Sequence, residues 1–206
     1  MKALASEAKK YKKAGYEFLA VGSYRKAREQ FSKAIELCPD EASLHLGLGQ
    51  TFFFQNKPNF ERALEEFHRA TAISPLLPEA HLWLGSAQEK SGQLNEAVSS
   101  FRTAIKLNPT DTRALISLGL CLTELEDYVA AVDSLRRAIK LKPHYGEASA
   151  RLFLADALKK SGRIKEACKE WQEILKMPRE YPDHDGPMKE AKELLGKYDK
   201  RPLKAR

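Results

Sequence analysis

The sequence predicts an all-α protein built as a row of helix pairs. Three observations support this prediction: a fixed period, two apolar stripes in each period, and helix-ending residues between the stripes. An alanine recurs at spacings of 34 to 36 residues, and a large apolar residue follows it four places later each time. These pairs are Ala27/Phe31, Ala63/Phe67, Ala97/Phe101, Ala131/Leu135 and Ala167/Trp171. Such a period is typical of stacked repeats, where each unit buries its apolar face against its neighbours.

Each period contains two stripes at helical spacing, such as Leu115/Leu118/Leu122 followed by Ala131/Leu135/Ala138. Apolar residues three and four positions apart predict two amphipathic helices. Glycine separates them in three periods and Glu126-Asp127 in the fourth, and glycine accepts the positive φ that ends a helix. The separating glycines are Gly22, Gly92 and Gly162. We expect the second helices to end at the prolines, which cannot continue a helix. These are Pro39, Pro75, Pro109, Pro143 and, one place early, Pro178.

A glycine also recurs inside the first helix of each of the first four repeats. Glycine within a helix costs about 1 kcal/mol relative to alanine. The positions are Gly15, Gly49, Gly85 and Gly119. We expect close approach of the paired helices to compensate for this cost.

Two departures from the period predict insertions. Gly49 and Ala63 are two residues further apart than their equivalents, which predicts an enlarged turn within residues 55–60. The stretch from Pro143 to Ala155 is also two residues longer, which predicts a longer link between the fourth and fifth repeats.

The repeat pattern ends after residue 178. A loop rich in proline and acidic residues (178–187) precedes one more amphipathic helix, with Met188, Ala191, Leu194, Leu195 and Tyr198 on its apolar stripe. Solenoids need a terminal element with a polar outer face, so we expect this helix to be a cap. We expect the tail, 201–206, to be disordered.

The aligned pattern resembles the tetratricopeptide repeat (TPR), with its signature W-x2-L-G-x2-Y, then A-x3-F, then A and P. Five copies cover residues 8–181, at 8–41, 42–77, 78–111, 112–145 and 148–181, and a loop with the capping helix follows at 182–200. The resemblance implies a right-handed superhelical solenoid of antiparallel helix pairs. It also implies a non-enzymatic adaptor or scaffold that binds a protein or peptide.

The resemblance further implies that positions 2, 5, 6, 9, 12 and 13 of each first helix face a partner in a concave groove. The candidate groove residues are Tyr16, Gln50, Phe53, Phe54, Leu82, Trp83, Ser86, Arg113, Ile116, Leu120, Leu152 and Phe153. Four of them are unusually apolar for their positions: Phe54, Trp83, Leu120 and Phe153. An apolar patch favours an apolar or amphipathic partner segment. The alternatives are that these residues pack on one another, lie beneath a terminal segment, or mediate self-association.

The carboxylate clamp of chaperone-binding TPR proteins is absent. It needs Lys and Asn at positions 5 and 9 of one repeat, Asn at position 6 of the next repeat, and Lys at position 2 and Arg at position 6 of the third. Starting at the first repeat, only Lys12 matches. The asparagine ladder of some peptide-binding relatives is absent as well.

The net charge of +7 is unevenly distributed. Residues 1–26 and 159–206 each carry +5, and residues 27–158 carry −3. Nucleic-acid binding needs a continuous basic track, so a nucleic-acid-associated factor is the weaker alternative.

No run of about 18 apolar residues predicts a membrane span, and the first residues lack the apolar core of a signal peptide. Cysteines 38, 121 and 168 stand singly, which favours packing in a reducing compartment and a cytoplasmic location.

No catalytic or metal-binding motif is evident. His45 and His81 lie one repeat apart and predict partly buried structural residues. Asp183-His184-Asp185 has ligand chemistry but no second group to complete a metal site. There is no Gly-rich phosphate loop, HExxH motif or nucleophile elbow. We therefore expect neither enzymatic activity nor a cofactor.

Overall fold

The computed structural model describes residues 2–141, 146–178 and 184–198. Within these ranges it contains eleven helices and no strand, which confirms the all-α prediction. The helices are α1 (Lys2–Ala20), α2 (Tyr24–Leu37), α3 (Ala42–Phe54), α4 (Phe60–Ile73), α5 (Pro78–Lys90), α6 (Leu94–Leu107), α7 (Thr112–Glu124), α8 (Tyr128–Lys140), α9 (Glu147–Lys160), α10 (Ile164–Leu175) and α11 (Asp185–Tyr198).

The chain forms two compact units, Met1–Pro109 and Thr110–Arg206. Unit 1 contains α1–α6 and unit 2 contains α7–α11. In each unit every helix packs against the next one along the chain, and first helices also contact each other: α1 with α3, α3 with α5, and α7 with α9. Each unit is therefore a row of helix pairs. The first helix α1 begins at Lys2, ahead of the repeat start expected at residue 8.

The glycines inside the first helices lie directly against the large residue of the second helix. A Cβ atom added to Gly85 would meet the Phe101 ring at 2.8 Å, and one added to Gly119 would meet Leu135 Cγ at 2.5 Å. Real Cβ contacts are essentially never below 3.0 Å. The expected compensation for mid-helix glycine is therefore present, because its missing side chain leaves the space that the partner residue fills.

The turns within the pairs follow the sequence prediction. Gly22, Gly92 and Gly162 have φ of 70°, 77° and 80°, and Glu126 takes the same left-handed conformation with φ of 62°. An L-residue with a side chain pays about 1–2 kcal/mol for this conformation. The fourth repeat therefore forms the same left-handed turn as the first, third and fifth repeats, but with a strained residue.

Both predicted insertions are present. Five residues separate α3 from α4, whereas three separate the two helices of the other pairs. The Asn59 side chain accepts a hydrogen bond from the Arg62 backbone N–H at 2.9 Å, which caps α4. Six residues link α8 to α9, whereas the other links between pairs within a unit have four.

Helices α2, α4 and α6 end two residues before Pro39, Pro75 and Pro109, as expected because the residue before proline disfavours helical geometry. Pro143, His144, Asp183 and the tail 201–206 lie outside the described residues.

The final helix α11 packs on α9 and α10 of unit 2. Met188, Ala191 and Leu195 are buried, Leu194 is half-buried, and the Tyr198 ring stacks on Trp171 at 5.8 Å. The opposite stripe is exposed, and it consists of Lys189, Glu190, Lys192, Glu193 and Lys197. This arrangement suits the expected cap, whose role stays a prediction.

We expect Gly85→Ala to lower the free energy of unfolding by about 1–3 kcal/mol, because its methyl group overpacks Phe101. Gly196→Ala is the matched control, since a Cβ atom there meets nothing within 4 Å. That change should raise stability by about 0.5–1 kcal/mol, because alanine favours helix. Urea titrations compare the variants, and equal effects at the two sites would contradict the packing argument.

We expect Glu126→Gly to raise stability by up to about 1 kcal/mol, because relief of left-handed strain exceeds the greater chain entropy of glycine. The reverse change at an equivalent turn, Gly92→Glu, should destabilise the protein by a similar amount. Thermal melting measures both, and a destabilised Glu126→Gly variant would contradict the strain argument.

Candidate functional site

The most prominent feature of unit 1 is a group of five aromatic residues. They come from the end of α3, from α4 and from α5. We call them the aromatic cluster: Phe53, Phe54, Phe60, Phe67 and Trp83. The ring centroids of Phe53 and Phe54 lie 5.6 Å and 5.2 Å from that of Trp83, in edge-to-face geometry. This geometry is favourable for aromatic pairs beyond their simple burial.

The aromatic cluster extends from the core to the surface. Phe67 is fully buried, and the Trp83 ring lies over it with centroids 6.2 Å apart and an interplanar angle of 24°. Phe53 and Trp83 are half-buried, and Phe54 is 44 % exposed. Phe54 is thus exposed to solvent at one edge of the cluster, and Phe67 at the other edge is part of the core.

The sequence predicts Phe53, Phe54 and Trp83 on one surface, and the structure brings these three together. Phe60 is not among the predicted site residues, although it begins α4 and packs on Phe53 at 5.6 Å. Its signal is periodic, because a large apolar residue stands three places before the alanine in each repeat. Phe67 was known only as the periodic core residue.

Tyr16 holds α1 to α3. Its hydroxyl donates a hydrogen bond to the Ser43 carbonyl at 2.8 Å, and its ring meets Phe31 edge-on at 5.0 Å. Burial, together with the charges of Glu79 and Glu41, raises the pKa of Tyr16 to about 12. Tyr16 therefore stays protonated, and its hydroxyl donates its hydrogen bond within the protein, to the Ser43 carbonyl.

A charged network lies beside Tyr16 at the start of α3. Lys12 Nζ lies 2.5 Å from Glu41 Oε1 and 3.3 Å from Ser43 Oγ, and the Ser43 hydroxyl donates to Glu41 at 2.8 Å. Burial acts to raise the pKa of Glu41, but the hydrogen bonds from Lys12 and Ser43 outweigh it and lower that pKa below its ordinary value. Lys12, the one residue that matched the clamp, is thus already paired with Glu41.

Of the other candidates of unit 1, two are buried and one is bonded within its own helix. Gln50 and Leu82 are 6 % and 4 % exposed, so they offer a partner little surface. The Ser86 hydroxyl donates to the Leu82 carbonyl of its own helix at 3.0 Å.

Unit 2 places its candidates on the neighbouring helices α7 and α9. Ile116 and Leu120 on α7 and Leu152 and Phe153 on α9 are all half-buried. Arg113 is exposed and pairs with Asp111 at 3.3 Å, and the same aspartate caps the start of α7. The candidates of unit 2 are therefore three half-buried aliphatic residues, one half-buried aromatic residue and one exposed arginine.

Two family models match the chain. One, described as TPR repeat, matches residues 15–56, and the other, described as tetratricopeptide repeat, matches residues 84–146, together about half of the chain. The chain is a tetratricopeptide repeat protein. The resemblance seen in the sequence is thereby confirmed.

Solved TPR structures share this fold. One MamA crystal structure matches with a TM-score of 0.72 at 21 % identity, covering 96 % of this chain and 98 % of that one. MamA from Desulfovibrio magneticus RS-1, residues 41 to the end, matches with a TM-score of 0.76 at 19 % identity, covering 85 % and 97 %. YrrB, titled a TPR protein with an unusual peptide-binding site, matches with a TM-score of 0.69 at 19 % identity, covering 87 % and 90 %. No curated protein matches the sequence. At these identities the structural matches establish the fold alone.

The described part of this TPR protein contains no group of three or more His, Cys, Asp or Glu side chains that could hold a metal ion. Across the same residues, no helix combines the length and apolarity that crossing a membrane requires.

Three of the described histidines have structural partners. Each contacts the carbonyl of the proline six residues earlier: His45 with Pro39, His81 with Pro75 and His184 with Pro178, at 2.8–2.9 Å. His45 is also only 4 % exposed, and its Nδ1 lies 2.7 Å from Glu66 Oε2. Because both of its ring nitrogens face oxygen acceptors, the doubly protonated ring satisfies both contacts at once.

The hydrogen bond to Glu66 raises the pKa of His45 and outweighs the opposing effect of burial and of Arg69. The folded protein therefore binds this proton more tightly than the unfolded chain does. The resulting stabilisation is complete below pH 6.5, the ordinary pKa of histidine, and is lost as the pH rises through the raised pKa.

We therefore expect the free energy of unfolding to fall as the pH rises above about 6.5. Glu66→Gln should flatten this dependence, because the neutral amide no longer favours the imidazolium. Glu65→Gln is the matched control, since Glu65 is exposed and the change in charge is the same. Urea titrations at a series of pH values measure the slope, and equal slopes in the two variants would contradict the role given to the His45–Glu66 pair.

Proposed function

We propose that this protein is a non-enzymatic interaction module that binds an apolar or amphipathic segment of a partner protein on the first helices of its units. TPR proteins generally mediate interactions between proteins and bind protein or peptide partners. The observation that supports binding of an apolar or amphipathic segment is the exposed edge of the aromatic cluster at Phe54.

The aromatic cluster has the properties of a binding anchor. Phe54 is accessible, and its neighbours Phe53 and Trp83 are held in place by Phe60 and the buried Phe67. A rigid aromatic surface loses little conformational entropy on binding, and aromatic residues dominate the energetics of many interfaces. An apolar side chain of the partner would cover the Phe54 ring.

Charge around the cluster favours an amphipathic partner over a wholly apolar one. The indole nitrogen of Trp83 lies 3.4 Å from the carboxylate of the exposed Glu79. A carboxylate at the rim of an apolar patch can pair with a basic residue of the partner. The partner segment we propose therefore carries apolar side chains on one face and a basic residue at the edge.

Unit 2 extends this proposal with its own surface. Ile116, Leu120, Leu152 and Phe153 each keep part of their apolar surface accessible. We propose that they contact an apolar part of the partner.

The proposal includes a cytoplasmic location. Within the described residues, Cys38, Cys121 and Cys168 form no disulfide bond, which suits a reducing compartment. The alternative is self-association, in which a second copy of the chain covers the aromatic cluster.

We expect Phe54→Ser to abolish partner capture, because it removes the exposed anchor and leaves Phe67 and Trp83 in place. The measurement is affinity capture from native cell extract with identification of the retained proteins. Val129→Ser is the matched control, since Val129 is 82 % exposed on the second helix α8. Proteins retained by the wild type and the control, but lost from Phe54→Ser, would be the expected result.

Equal capture by all three proteins would contradict the proposal. Sedimentation velocity over a concentration series distinguishes the alternative. If wild type forms a dimer that Phe54→Ser abolishes, a second copy occupies the surface instead.

A further inference from the structure

A cavity of about 970 Å³ lies between the second helices α2 and α4 of unit 1. Both helices pack against α3, and α3 supplies the floor with the half-buried Leu48 and Phe52. The walls carry charged and polar side chains from α2, α4 and the turn between α3 and α4. This cavity is distinct from the aromatic cluster, and its size is that of a small-ligand or peptide-side-chain site.

Two arginines converge on the floor of the cavity. The guanidinium carbons of Arg28 and Arg62 lie 5.2 Å and 5.6 Å from the centroid of the Phe52 ring. Arg28 also donates a hydrogen bond to Gln55 Oε1 at 2.5 Å. These contacts position two cations around one aromatic ring, where a guanidinium can still bind a carboxylate with its remaining N–H groups.

Among the described residues, four cations and four carboxylates line the larger cavity, and the enlarged turn places further cations beside it. An adjoining cavity of about 510 Å³ shares Arg25, Arg28 and Gln55 with the first one. Of the described residues that line the adjoining cavity, four are cations and none is a carboxylate. We call five of the cations that line the two cavities the cation cluster: Arg25, Lys26, Arg28, Lys57 and Arg62.

The enlarged turn supplies part of this site. The backbone N–H of Asn59 donates to the Phe52 carbonyl at 3.0 Å, and its side chain caps the helix that carries Arg62. The turn also supplies Gln55 and Lys57. The other pairs have turns of three residues, whereas this one has five.

Carboxylates limit the length of an anion that can bind. Glu29, one residue after Arg28, lines the larger cavity, and its Oε1 lies 3.5 Å from Arg25 Nε. Glu36 lines the same cavity eight residues beyond Arg28, about 12 Å further along α2 at 1.5 Å per residue. Glu65 and Glu66 follow Arg62 within one turn of α4. A nucleic-acid backbone would run from the cations into these carboxylates, whereas a short acidic segment can end before them.

We propose that the cation cluster is a second binding site of this protein, which takes a short acidic segment of a protein partner. Carboxylates of the segment pair with Arg28 and Arg62 over Phe52, and Arg25, Lys26 and Lys57 hold the adjoining residues. The segment binds on the second helices, so it is compatible with a partner on the first helices of the same unit.

Fluorescence anisotropy with a labelled hexaglutamate peptide at low salt tests this site. The variant Arg28→Gln/Arg62→Gln should weaken binding about tenfold or more, because it removes both charge-assisted pairs over Phe52. The control Arg102→Gln/Lys106→Gln removes the same charge from exposed positions on α6 and should bind like the wild type. Because Arg28 and Arg62 also contact the scaffold, Arg25→Gln/Lys57→Gln at exposed positions provides a second variant, which should also weaken binding.

No binding of hexaglutamate by the wild type, or equal weakening in the control, would overturn the proposal. A labelled oligothymidine that binds more tightly than hexaglutamate, and is lost in Arg28→Gln/Arg62→Gln, would overturn it in favour of a nucleic acid. Phe54→Ser should leave hexaglutamate affinity unchanged, so the outcome is independent of the function proposed for the aromatic cluster.

Discussion

The contact between a glycine of the first helix and a large residue of the second is the constraint on which the rest of the structure depends. In the first repeat, Phe31 lies where Cβ atoms of both Gly15 and Gly47 would be, so one ring packs against α1 and α3 together. The same ring therefore joins the helices of its own pair and connects that pair to the next. Stability of a repeat array comes from such nearest-neighbour contacts, because no unit buries its apolar face alone. The fifth repeat has Ala155 and Trp171 at the equivalent positions, both fully buried, so alanine and a larger ring replace glycine and phenylalanine there.

Both proposed sites are built on these contacts between helices. Phe67 fills the space beside Gly49 and also supports Trp83, which in turn supports the exposed Phe54. On the other side of α3, Phe52 forms the cavity floor beneath two arginines. Side chains on rigid helices bind with less loss of conformational entropy than side chains on loops. One helix, α3, thus orders an apolar surface on one side and a cationic surface on the other.

Periodicity in the sequence predicts what depends on a residue's own place in the repeat. It predicts the helix pairs, the left-handed turn residues and the two-residue insertion between α3 and α4. It does not predict which first-helix positions are accessible, because accessibility depends on the size of neighbouring side chains. Gln50 and Leu82 occupy expected binding positions and are buried, whereas Phe60 lies outside the expected binding positions and packs in the aromatic cluster. The convergence of Arg28 and Arg62 on Phe52 and the division of the chain after Pro109 likewise have no periodic signal.

The central claim is that a partner covers the first helices at the aromatic cluster. Hydroxyl-radical footprinting of the protein with and without its captured partner tests it most directly, because the method reports the accessibility of individual side chains. The account predicts that oxidation of Phe54 and Trp83 falls when the partner binds and that oxidation of the exposed Val129 is unchanged. Unchanged oxidation of Phe54 and Trp83 in the bound complex would contradict it.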